Sequence, residues 1–137
     1  MKYLIRNFLV IYFLVINAQN SYAQSEFQVK PYLHLGKKAS TKSIQLLWHA
    51  AVSNDVWLAE YKNNGEADWS KSEDLTSSTI AVPNIPAFSV FSTAFNSLKP
   101  GSSFQYRVSK NGNVVFNSEG KSLKSPDQPY RVAISGD

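Results

Sequence analysis

Every second residue from Ile44 to Trp48 is large and apolar, and this two-residue repeat limits the chain to extended structure. Successive side chains of a strand leave opposite faces. Ile44, Leu46 and Trp48 therefore share one side, and Ser43, Gln45 and Leu47 the other. The repeat returns in Trp57, Ala59 and Tyr61, in Phe91, Thr93 and Phe95, and in Phe104, Tyr106 and Val108. No stretch after Gln24 carries a helical repeat. Apolar strand faces are buried only against another layer. With turn signals at intervals of roughly 8–12 residues, the pattern predicts an all-β sandwich of about seven strands.

Taken in order, Phe27 to Leu33 reads as the first strand, and Pro31 suits an edge because it has no backbone donor. Gly36 to Ser40 is a polar turn. Ser43 to His49 follows, and Trp48 is large enough to bridge two facing sheets. In Val56 to Tyr61 the inner face is Trp57, Ala59 and Tyr61, because the alternative points Glu60 into the core. Asn64-Gly65 supplies a tight turn. Residues 66–86 read least clearly: Trp69, Leu75, Ile80 and Val82 can form short strands or pack loops, while Pro83 and Pro86 interrupt any long strand.

The alternation resumes from Phe88 to Asn96, and Pro100-Gly101 makes a turn before Phe104 to Ser109. Asn111-Gly112 joins that strand to Val114–Asn117 as a two-residue hairpin of type I′. The segment from Glu119 to Pro129 has few apolar residues and contains Gly120, Pro126 and Pro129. A sandwich over residues 24–120 followed by a linker over 121–129 is the natural division.

Residues 1–23 have the form of an export signal. Lys2 and Arg6 give a positive start, Phe8 to Ile16 an apolar run, and Ser21-Tyr22-Ala23 a small-x-small cleavage site. The run, about nine residues, is well short of the ~20 that span a bilayer, so no stable membrane span is expected after cleavage. Removing Lys2 and Arg6 from the 14 basic residues leaves 12 against 10 acidic ones. The remaining lysines are scattered, with no basic run interleaved with aromatics, so nucleic acid is not an expected partner. The chain has no cysteine, so its core must hold it without disulfides. These features suit a secreted or periplasmic protein, of bacterial type.

Tyr130 to Asp137 reads as a short buried strand (Val132, Ala133, Ile134) that ends on Gly136-Asp137. Glycine allows a sharp turn there, and the aspartate then sits at the strand's carboxyl edge, where open α/β folds bind ligands.

The run from Leu98 to Val108, with Pro100-Gly101 and alternating aromatics, resembles the E–F corner of fibronectin type III domains. Phe104 stands where that corner carries a tyrosine, so the hydroxyl bond back to the backbone is absent and the corner is expected to rely on packing alone. Pro31-Tyr32-Leu33 with Gly36, the strand ending at Trp48 and the final Gly136-Asp137 narrow the likeness. In this order they resemble the N-terminal fibronectin type III-like domain and first catalytic strand of purple acid phosphatase-like metallophosphoesterases. His34 departs from that pattern, which has glutamine nearby.

The resemblance implies that residues 130–137 open an α/β catalytic domain whose remainder lies beyond residue 137. It makes Asp137 a ligand of a dinuclear metal centre, Fe with Fe, Zn or Mn, in the intact parent. Hard carboxylate oxygens suit such ions, and two metals together can hold a phosphate ester and activate a water. One aspartate cannot do this, so the fragment itself is expected to be inactive, with no catalytic residue of its own. The implied partners are the catalytic domain in cis and a phosphate monoester substrate.

Other candidates are weaker. His34 and His49 fall on separate strands without clustered carboxylates. Ser135 has no Gly-x-Ser-x-Gly elbow and no nearby histidine base. Trp57 and Trp69 would make a sugar-stacking platform if both were exposed, although packing is the simpler use. The rival class is a stand-alone binding or adhesion module for glycan or protein.

Overall fold

The computed structural model describes residues 25–73 and 75–129. Eight strands form two antiparallel four-stranded sheets, and there is no helix among the described residues. The strands are β1 (Val29–His34), β2 (Ile44–Ala51), β3 (Trp57–Asn63), β4 (Ser70–Lys71), β5 (Thr76–Val82), β6 (Ile85–Phe95), β7 (Ser103–Lys110) and β8 (Asn113–Lys121). One sheet has the order β1-β2-β6-β5, and the other β4-β3-β7-β8. The all-β sandwich expected from the alternation is therefore present.

Each predicted inner face is the buried one. Ile44, Leu46, Trp48 and Ala50 are buried from β2, Trp57, Ala59 and Tyr61 from β3, Phe91 and Phe95 from β6, and Phe104, Tyr106 and Val108 from β7. Trp48 joins the two layers: its ring stacks on Phe91 of its own sheet at 5.2 Å and meets Trp57 of the facing sheet at 5.8 Å. Neither indole N–H meets an acceptor. Each such omission costs about 1–3 kcal/mol, which ring burial must offset. Along one side the sheets close tightly. A methyl group on Gly120 of β8 would lie 2.6 Å from Leu33 Cδ1 of β1 and 2.5 Å from Phe104 Cζ.

Local chemistry explains the turns. Asn111 and Gly112 both have positive φ, at 50° and 83°, as a type I′ hairpin requires. Pro31 lies on an edge strand, where the β1–β2 register slips between Val29 and Tyr32. The segment that read least clearly contains a hairpin. Val82 pairs with Ile85 across Pro83-Asn84, and Asn84 takes φ 65°. Proline fixes the first turn position and asparagine tolerates the left-handed second, so Pro83 makes the turn rather than breaking a strand. Pro86 falls inside β6, but before Phe88, where pairing with β2 begins. It therefore removes no donor from the β2 ladder.

Candidate functional site

The corner from Asn96 to Ser102 carries the chain from β6 in one sheet to β7 in the other. Turn backbone at such a crossing has no ladder partners, so its polar groups need other ones. The strand β3 provides several. The Tyr61 hydroxyl donates to the Asn96 carbonyl. Asn63, buried at the last inward position of β3, donates through Nδ2 to the Ser97 carbonyl at 3.3 Å. Its Oδ1 accepts the Lys99 N–H at 3.0 Å. Glu66 holds Asn63 in turn, accepting its backbone N–H at 3.0 Å, and pairs with Lys99 at 3.3 Å. The Asn63 N–H and side chain, with the Lys99 ammonium, hold the Glu66 carboxyl below its usual range. Burial pushes the Tyr61 phenol up.

The far side of the corner is closed by the segment after β8. Ser122 is buried; its Oγ donates to the Lys99 carbonyl at 2.5 Å and accepts the Ser102 N–H at 3.2 Å. The Gly101 N–H donates to the Leu123 carbonyl at 2.8 Å. Gly101 takes φ 69°, which favours glycine, and a Cβ there would lie 2.6 Å from Gln128 Oε1, so the Gln128 side chain would have to move. Ser125 and Gln128 bond each other, and Lys124 Nζ donates to the Pro129 carbonyl at 2.6 Å. Residues 122–129, expected as a linker, thus form a strap against the corner, while Glu119 to Lys121 belong to β8.

The expectation that this corner relies on packing alone is overturned. Phe104 is buried and has no hydroxyl to offer, but the bonds come from Tyr61 and Asn63 on β3 and from Ser122 after β8. The alternation of Trp57, Ala59 and Tyr61 carried one residue further puts Asn63 inward. A polar side chain at an inward position was the available signal.

Asp137, the one proposed metal ligand, lies outside the described residues, as do Ser135 and Gly136. The histidines stay apart in role. His34 Nδ1 accepts the Gly36 N–H at 2.9 Å, whereas the His49 ring stacks on Phe88 at 5.4 Å. No group of three His, Asp or Glu side chains that could hold a metal occurs among the described residues.

The tryptophan platform does not form. Trp57 is buried between the sheets, while Trp69 lies over the outer face of the β3–β7–β8 sheet. There the Arg107 guanidinium sits 4.3 Å and the Lys62 ammonium 5.1 Å from the ring centre, and Arg107 Nε donates to Glu60 at 2.7 Å. Cation–π contacts thus engage the Trp69 ring.

A charged cluster fastens the opposite end of the sandwich. Lys110 pairs with Glu26 at 2.7 Å and Asp55 at 3.0 Å. Asp55 also accepts from the Ser53 hydroxyl and Asn111 Nδ2, each at 2.7 Å. Led by the Ser53 bond, these contacts lower the Asp55 pKa to about 2. The cluster ties the β2–β3 loop to the β7–β8 hairpin and is structural in character.

Comparison with protein-family models, with curated proteins and with solved structures finds no match for this chain.

Proposed function

We propose that this chain is the N-terminal part of an exported, metal-dependent phosphoesterase of the purple acid phosphatase type. In this reading the sandwich positions a catalytic domain that begins at residue 130. The observation that carries it is the strap: residues 122–129 are bonded to the Lys99–Ser102 corner, so the segment that precedes Gly136-Asp137 starts from a fixed point. The strand order supports it too. One sheet of first, second, sixth and fifth strands facing another built on the third, seventh and eighth follows the pairing of immunoglobulin-like sandwiches. The resemblance of Leu98–Val108 and of Gly136-Asp137 supplies the chemical part.

Asp137 would give one hard carboxylate to the dinuclear centre, which would activate a water toward a phosphate monoester. The described residues add no second ligand cluster, so no catalytic step is assigned to them. The test is Asp137→Ala in the intact parent. Bound metal should fall, and phosphatase rate should drop by more than about a hundredfold, beyond the loss typical of an outer-shell partner. Unchanged metal content and rate would remove Asp137 from the centre. Absence of further Asp, Asn-His and His-x-His motifs in the coding sequence after residue 137 would remove the phosphoesterase reading itself.

A further inference from the structure

A sheet edge presents unpaired backbone N–H and C=O groups, and proteins usually guard it with charge, proline or short length. Three of the four edges here are guarded. β1 carries Lys30, Pro31 and His34; β4 is only Ser70–Lys71; β8 carries Glu119 and Lys121. The fourth, β5, is Thr76-Ser77-Ser78-Thr79-Ile80-Ala81-Val82, exposed at every position and without a charge or a proline. Indeed no Asp, Glu, Lys, Arg or His occurs from Leu75 to Leu98. At its tip Ile80, Val82 and Ile85 are 38%, 44% and 55% exposed.

An occupant of this edge must bring an extended strand with free backbone groups and no charge left to desolvate. Among the described residues only β5 itself meets both conditions, since each other edge would bring a charge or a proline. We propose that two copies of this chain pair their β5 strands antiparallel about a two-fold axis. The two β1-β2-β6-β5 sheets then run on as one. Two-fold symmetry sets position i against j and j against i, and because β5 carries no charge no register of the pair brings like charges together. The cross-strand neighbours are Ser, Thr, Ile, Ala and Val, which pair favourably in sheets. Such a contact closes on itself and stops at the dimer. Nothing in it depends on residues after 129.

Sedimentation of the purified chain over a concentration series tests this. The apparent mass should rise twofold with concentration. Ser78→Lys and Ile80→Lys, at exposed positions, should each return it to the monomer value while far-ultraviolet circular dichroism stays that of the parent chain. A monomer at every concentration would overturn the proposal. So would a dimer that survives both substitutions, or open-ended growth without a dimer plateau.

Discussion

The corner at Asn96–Ser102 and the edge strand β5 both interrupt the ladders of the sandwich, yet their leftover backbone groups meet different fates. At the corner, side chains from two other strands and the strap satisfy them: Tyr61 and Asn63 from one side, Ser122 from the other. Along β5 no side chain of the described residues crosses the edge, and all seven residues are exposed. The Thr76 hydroxyl turns back to the Ser92 carbonyl inside its own sheet. The contrast separates two uses of exposed backbone. The corner holds residues 122–129 in place, whereas the edge is the surface on which the proposed pairing of two copies rests.

The most damaging change should be Asn63→Ala, which strips the Lys99 N–H of its acceptor and the Ser97 carbonyl of a donor. Two groups orphaned at a half-buried site predict a loss of about 2–3 kcal/mol in denaturant unfolding. If the loss is no larger than for an ordinary surface site, the corner is not held by this residue. Ser122→Ala should cost less, about 1–2 kcal/mol. It should also speed tryptic cleavage at Lys121 and Lys124, because the strap loses its anchor. Equal cleavage rates in both proteins would show that the strap is held elsewhere.

Acid separates the opposite end from both. The Asp55 carboxyl is depressed to about 2 when folded, so its contribution is full above the unfolded carboxylate value and is lost as pH falls toward 2. Unfolding followed between about pH 4 and 2 should show a stability decline that is smaller in Asp55→Asn, where the share of the other depressed carboxyls remains. The smallest effect belongs to β5: Ser78→Lys should change monomer stability by no more than about 0.5 kcal/mol.

The layered fold was legible because burial follows the two-residue repeat: each face read as inner from β2, β3, β6 and β7 is buried. The Asn111-Gly112 hairpin was legible because its turn needs residues that accept positive φ. The hairpin at Pro83-Asn84 is hidden because proline both breaks strands and opens turns, and the local pattern does not say which. The corner bonds were also hidden. Asn63 bonds Ser97 and Lys99, and Ser122 bonds Lys99 and Ser102, across separations that no local pattern announces. Of the proposed chemistry the sequence names only Asp137, and only through resemblance, because a single carboxylate has no ligand spacing to test.

Amide hydrogen exchange on the purified chain, run dilute and concentrated, tests the contrast most directly. The corner amides of Lys99, Gly101 and Ser102 should exchange slowly at both concentrations, because intramolecular acceptors hold them. The amides of β5 that face away from β6 should exchange fast when dilute and slow when concentrated. Fast exchange at the corner, or β5 protection that ignores concentration, would contradict the account.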